Sequence, residues 1–261
     1  MNSVANATDA GAQSAHVAAQ FGPQAQAYLH SDVHAQGAEF AELRAGLAGH
    51  RNGRLLDLGC GAGHVSFQLA PLMAEVVAYD LSADMLTVVA ATAAKRGLTK
   101  VRTLQGVAER LPFESGSMDA VVSRYSAHHW SDLGQALREV RRVLRPGGIA
   151  AFIDVVAPGL PLLDTHLQAI ELLRDTSHVR DYSAAQWLQM VGDAGLRLQR
   201  HQCQRLQLDY LSWVDRMRTP EVLRAAVRAL QHAAVDEVRD YFQIAADGSF
   251  STDVLVVWAT R

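Results

Sequence analysis

Residues 54–64 read Arg54-Leu-Leu-Asp-Leu-Gly-Cys-Gly-Ala-Gly-His64, and the fold of the chain turns on them. Leu55, Leu56 and Leu58 make a short apolar run of the kind that forms a buried strand. Gly59, Gly61 and Gly63 follow at once, and Val65, Leu69, Leu72 and Met73 then recur at helical spacing. Strand, glycine turn and helix make a nucleotide-binding layout, because glycines let the backbone approach a ligand and a helix N-terminus offers N–H groups without helical partners. Glycines alone do not say which nucleotide.

Two further details decide that. The dinucleotide fingerprint G-x-G-x-x-G/A fails, since counting from Gly59 puts His64 at the last position. Asp57 stands just before the first glycine, where its carboxylate would repel a pyrophosphate but attract an ammonium or a sulfonium. Sixteen residues beyond His64, Asp80 closes a second apolar run, Glu75-Val-Val-Ala-Tyr. An acid at that strand tip suits ribose hydroxyls. Glycine loop, preceding acid and distal acid together point to S-adenosylmethionine (SAM), and away from an NAD(P)-dependent oxidoreductase.

Four stretches in order resemble the class I SAM-dependent methyltransferases, closest to the small-molecule branch that includes the ubiquinone and menaquinone C-methyltransferases. They are Leu55-Leu-Asp-Leu-Gly-Cys-Gly-Ala-Gly63, Asp80-Leu-Ser-Ala-Asp-Met-Leu86, Ala108-Glu-Arg-Leu-Pro-Phe113 and Glu139-Val-Arg-Arg-Val-Leu-Arg-Pro-Gly-Gly148, within residues 50–155. The resemblance implies a doubly wound α/β fold. Its sheet would be seven-stranded and mostly parallel with an antiparallel last strand, closed by an N-terminal and an inserted helical cap. It also implies a set of cofactor contacts: Asp57, Gly59, Cys60, Gly61, Gly63, Asp80, Leu81, Met85, Val107, Ala108, Ser123 and Tyr28. Val107 departs from the family, whose usual Asp there accepts from the adenine amino group. Met85 reads equally as adenine contact or core filling, and Tyr28 as pocket residue or plain packing of the cap.

Composition bounds the rest. A chain of 261 residues suits one α/β domain with additions. Its net charge of −3 and lack of a basic run argue against a nucleic-acid groove. Arg138, Arg141, Arg142 and Arg145 cluster on one expected helix as a solvated face. Two cysteines, Cys60 and Cys203, give no disulfide framework and suit a reducing cytoplasm. The best apolar run, Ile149 to Val156, is too short to span a membrane and carries Asp154. Residues 1–20, rich in Ala, Ser, Asn and Gln, read as a disordered tail rather than a signal peptide. The expected organisation is then a helical cap over 21–50, a cofactor-binding half over 51–155, and a substrate-side half over 156–261 with a helical insertion near 210–245. The expected partner is a small-molecule acceptor, with the chain a monomer or homodimer and no metal. His30 and His34, four apart, read as a surface pair.

Chemistry is expected in the loop after strand four, Arg124-Tyr-Ser-Ala-His-His-Trp130, since loops at C-terminal strand ends line the site of an open parallel sheet. Methyl transfer from a sulfonium is an in-line displacement that needs alignment more than a catalytic group. An oxygen or carbon acceptor must also lose a proton, and His is the base suited to neutral pH. His128 and His129 are therefore candidates, either as base or as pocket wall. Tyr28, Arg124, Tyr125 and His128 are the expected substrate-side residues, with Arg124 open to either substrate binding or a helix-capping or surface ion pair. A SAM-binding module without catalysis is the second functional reading.

Overall fold

The computed structural model describes residues 11–25, 29 and 38–261. The strands are β1 (Arg54–Leu58), β2 (Glu75–Asp80), β3 (Val101–Gln105), β4 (Met118–Arg124), β5 (Leu144–Val156), β6 (Arg197–Leu208) and β7 (Phe250–Thr260). They form one sheet in the order β3-β2-β1-β4-β5-β7-β6. The first five strands pair in parallel, and β7 pairs antiparallel with both β5 and β6. This is the mostly parallel, seven-stranded arrangement that the resemblance implied.

Strand periodicity sorts the core into two layers. Leu55, Ala120, Val122, Ala151 and Ile153 face one way, towards Phe40 and Leu43 of the helix Ala38–Gly46 and Val65 and Leu69 of the helix His64–Leu69. Leu56, Leu58, Val121, Ala150 and Phe152 face the other, towards Leu133, Leu137 and Val140 of the helix Leu133–Val143 and Trp187 and Val191 of Ala184–Asp193. Each fully buried Leu or Val contributes about 1.5–3 kcal/mol. Side chains cap three helix starts: Ser82 Oγ accepts from Met85 N, Asp132 from Gln135 N, and Ser183 makes a reciprocal capping box with Gln186.

A third cluster lies above the C-terminal strand ends. Leu163, Leu167 and Ile170 of the helix Pro161–Arg174 pack on Trp213 and Val214 of Tyr210–Arg216, Val227 of Glu221–Ala233, and Val238 and Phe242 of Asp236–Phe242. The last three helices lie between β6 and β7. Among the described residues, no helix is long and apolar enough to cross a membrane.

One expectation needs correction. Residues 12–20, read as tail, belong to a helix, Ala12–Phe21, whose Val17 is buried. Its alanines favour helix without advertising a core face, so only Val17 and Phe21, four apart, mark the packed side. Pro146-Gly-Gly148 lies between the helix Leu133–Val143 and the apolar run that begins at Ile149. The strand already starts at Leu144, opposite Met118, and the pairing resumes with Ala120 opposite Ile149, so these residues form a bulge within β5.

Candidate functional site

Strand order reverses between β1 and β4, where α/β sheets open a crevice at the C-terminal strand ends. A cavity of about 1000 Å³, counted to its open mouth, lies there against the glycine loop. The glycines serve different ends. A Cβ on Gly59 would collide with the Ser126 hydroxyl, and one on Gly63 with Phe67 and Val89 at 2.9 Å, so these two permit close packing. Gly61, at φ +50°, has nothing within 4 Å of where its Cβ would lie and borders the cavity. Gly61 is the glycine that leaves room for a ligand.

Asp80 braces this loop from the tip of β2. Its Oδ2 accepts from Gly61 N at 2.9 Å, and its Oδ1 accepts from Ser82 N at 2.9 Å. Burial raises its pKa, against those hydrogen bonds. Asp57 differs from its expected role as an open charge. It is buried, its Oδ2 accepts from Ser66 N at 2.9 Å and Ser66 Oγ at 2.6 Å, and burial pushes its pKa up to about 7 despite these bonds. Asp57 still borders the cavity, but as a group poised between acid and carboxylate.

The opposite wall is the 106–109 loop. Tyr79, which the sequence did not single out, donates its hydroxyl to Val107 O at 3.1 Å, and a side chain on Gly106 would displace that hydroxyl. Among the described residues, no partner takes the N–H of Val107 or Ala108. Leu81, Met85 and Cys60 complete the lining, and burial raises the Cys60 thiol well above its ordinary value. Two expected contacts do not reach the cavity lining. Gly63 sits beneath the loop, and Ser123 is buried within β4, because alternation turns it away from the strand tip. Tyr28, His30 and His34 lie outside the described residues.

The N-terminal helix Ala12–Phe21 forms the roof. Ser14, Val17 and Phe21 border the cavity, and Gln13 Nε2 donates to Ser177 O at 2.8 Å. Beyond this roof a second cavity opens, of about 610 Å³ to its mouth. Phe21, Tyr125 and His129 line both, so they form the partition between them. The second cavity has Val155, Leu206, Leu208 and Trp213 as apolar walls, with His128, Glu171, Arg174, Asp181 and Arg216 as polar ones.

Asp154 organises the histidine loop. Its Oδ2 accepts from Ser126 N at 3.2 Å and Ala127 N at 2.7 Å, while its Oδ1 lies 2.6 Å from His128 Nδ1. A carboxylate only accepts, so Nδ1 carries the proton and Nε2 is left without a partner among the described residues. Burial acts to lower the His128 pKa, but Asp154, with Asp181 and Glu171, raises it to about 9. His129 goes the other way: burial, then the neighbouring His128 charge, lowers it to about 4. Its Nδ1 is 3.3 Å from Ser177 O, and the Phe21 ring meets it edge-on at 4.9 Å.

Arg124 forms an ion pair, but a buried one rather than the surface or helix-capping pair expected. Its Nε and a terminal nitrogen reach Glu39 Oε1 at 3.1 and 2.6 Å, and its guanidinium stacks between Phe40 and Tyr125, 4.7 Å from each ring centre. It borders the first cavity as an internal ion pair. Tyr125 holds a φ of +52° beside it, an uncommon conformation for a bulky residue, and burial pushes its hydroxyl up to about 12. Asp154, Asp181 and Trp213 were not read as functional. For Asp154 the one signal was a charge inside an apolar strand.

Fold and crevice define an α/β enzyme that binds a nucleoside-type ligand at the strand-order reversal. The methyltransferase-domain family matches residues 56–152. The chain is 49% identical over 203 residues to the Escherichia coli K12 protein YafE, covering 78% of this chain and 98% of that one. It is 36% identical over 225 residues to the Bacillus subtilis methyltransferase YcgJ, covering 86% and 88%. The crystal structure of YcgJ superposes with a TM-score of 0.82 over 86% of this chain and 99% of that one, at 34% identity. A demethylmenaquinone methyltransferase from Chlorobaculum tepidum is 34% identical over 118 residues, 45% of this chain and 47% of that one. The chain belongs to the SAM-dependent methyltransferases. It is an enzyme, and its methyl donor is SAM.

Proposed function

We propose that the methyl acceptor is a hydroxyaromatic molecule seated in the second cavity, and that His128, oriented by Asp154, takes the proton this acceptor loses. The observation that carries the reading is the shared partition: a nucleoside-sized cavity and a second one, walled by aromatic and aliphatic side chains on one part and by charged ones on another, meet at Phe21, Tyr125 and His129. The demethylmenaquinone methyltransferase relative adds support for a hydroxyaromatic acceptor.

The first cavity fits SAM. Gly61 leaves the space a ligand backbone contact needs, Asp80 offers its remaining lone pairs to ribose hydroxyls, and Met85 with the N–H groups of Val107 and Ala108 would meet the adenine. Asp57 would answer the donor's positive charge. Bound SAM supplies a methyl group already activated on a sulfonium. The chain's own work is then to align the acceptor, exclude water and accept a proton. An oxygen or ring-carbon nucleophile gives up a proton, and a base of pKa about 9 is well matched to a phenolic hydroxyl of pKa near 10. His129, held neutral, does not repel a sulfonium and serves as wall.

The test is S-adenosylhomocysteine release with a panel of naphthols and catechols across pH. His128 works as base only when unprotonated, so kcat/KM should rise with pH and level off above about 9. His128→Ala should lower kcat by about 10²–10⁴ and leave SAM affinity unchanged. Full activity in that variant would remove His128 from the chemistry.

A further inference from the structure

Asp181 is the most unusual group in the second cavity. Its side chain is 2% exposed, it borders the cavity, and its Oδ2 has no hydrogen-bond partner among the described residues. No described residue donates to its carboxyl. The nearest histidine nitrogen, His178 Nε2, is 3.9 Å away and lies closer to Gln168 Oε1, at 2.9 Å. Because an amide oxygen only accepts, that contact commits the Nε2 proton to Gln168. Burial, then the neighbouring His128 charge, lowers the His178 pKa to about 2, so it brings Asp181 no positive charge.

Meanwhile the backbone of Asp181 is fixed on both sides. Gln168 Nε2 donates to Asp181 O at 2.8 Å, and Asp181 N donates to Gln168 Oε1 at 3.2 Å. The loop carrying it is pinned further, since Val179 N and Arg180 N both donate to His128 O, at 2.9 and 3.2 Å. A buried carboxyl without partners weakens a fold. This one is held rigidly against a cavity, which is how a recognition group is pre-organised.

We propose that Asp181 determines acceptor specificity, by receiving a hydrogen bond from a hydroxyl or ammonium group on an otherwise apolar acceptor. This rests on the reading of the second cavity as the acceptor site. Asp181 needs donors as the anion, and both a donor and an acceptor as the neutral acid. A hydroxyl satisfies either state, whereas an ether or a carboxylate leaves at least one oxygen unmet. The apolar body of the ligand would lie against Trp213, Leu206 and Leu208.

The experiment measures binding of 2-naphthol, 2-methoxynaphthalene, 2-naphthylmethylamine and 2-naphthoate to the full chain saturated with S-adenosylhomocysteine, alongside melting temperatures. Wild type should bind 2-naphthol or the amine about tenfold or more tightly than the ether and the carboxylate. Which of the two leads tells hydroxyl from ammonium recognition. Asp181→Leu should erase that preference, keep SAM affinity, and melt at the same or a higher temperature. Asp181→Asn, which keeps one acceptor oxygen, should retain part of the preference. Equal binding of all four probes by wild type and Asp181→Leu overturns the role of Asp181 alone. A clear drop in melting temperature in both variants also overturns it, marking a structural residue. If wild type binds none of the probes, the acceptor-cavity reading falls, and this proposal with it.

Discussion

Replacing Asp57 by asparagine separates what its carboxyl does for the fold from what its charge does for the donor. The side-chain oxygen of the introduced amide can still accept from Ser66 N and Ser66 Oγ, so the loop brace survives. The titration does not. The folded pKa stands at about 7 against an ordinary 3.8, so between these values the native protein holds a proton that the unfolded chain has released. Stability therefore falls as pH rises through this window, by about 1.36 kcal/mol per pH unit for one proton. Over the whole interval that is about 4 kcal/mol at most, absent in Asp57→Asn. Denaturant titrations at pH 4.5 and pH 8.5 should find the variant close to wild type in acid and more stable than it in base. Calorimetry with SAM at the same pH values reads the other half. If Asp57 answers the sulfonium, wild-type affinity rises with pH through about 7 and the variant's stays flat. A variant that loses stability equally at both pH values would refute the titration argument, and a flat wild-type profile would refute the charge match.

Two further substitutions probe the same crevice. Gly61→Val places a branched side chain at φ +50° and into the cavity, so SAM affinity should drop more than tenfold and the melting temperature should fall as well; wild-type affinity by calorimetry would contradict the assigned approach. Asp80→Ala removes an acceptor for Gly61 N and Ser82 N as well as the ribose contact, and SAM binding should weaken by about 1–3 kcal/mol, roughly five- to 150-fold. Lower stability with unchanged SAM affinity would confine Asp80 to bracing the loop.

The cofactor side was readable because its parts are local. Leu55 to Gly63 encodes strand and turn within a few residues, and Asp80 follows at the end of the very next strand. The second cavity was legible only in part: Tyr125 and His128 stand in the loop after strand four, but Phe21, Asp181, Leu206 and Trp213 come from distant segments that no spacing rule connects. In sequence the three glycines look like one motif with one purpose. Only the neighbours of Gly59 and Gly63, Ser126 and Phe67 with Val89, separate packing from ligand approach. The roof failed for a compositional reason: helix Ala12–Phe21 holds its place through Val17, Phe21 and polar contacts such as His16 Nε2 to Thr176 Oγ1 at 3.0 Å, too thin a stripe to register as amphipathic.

The sheet ends at β6, whose residues Arg197–Cys203 are exposed on both faces, leaving a long open border of backbone N–H and C=O groups. Such a border invites a neighbour to zip onto it. Arg197, Arg200 and Arg205, with His201 and several glutamines between them, crowd it with cations and bulk. Arg200 and Arg205 are tied to Glu42 and Asp253, so a strand laid along this margin would have to crowd or break those ion pairs.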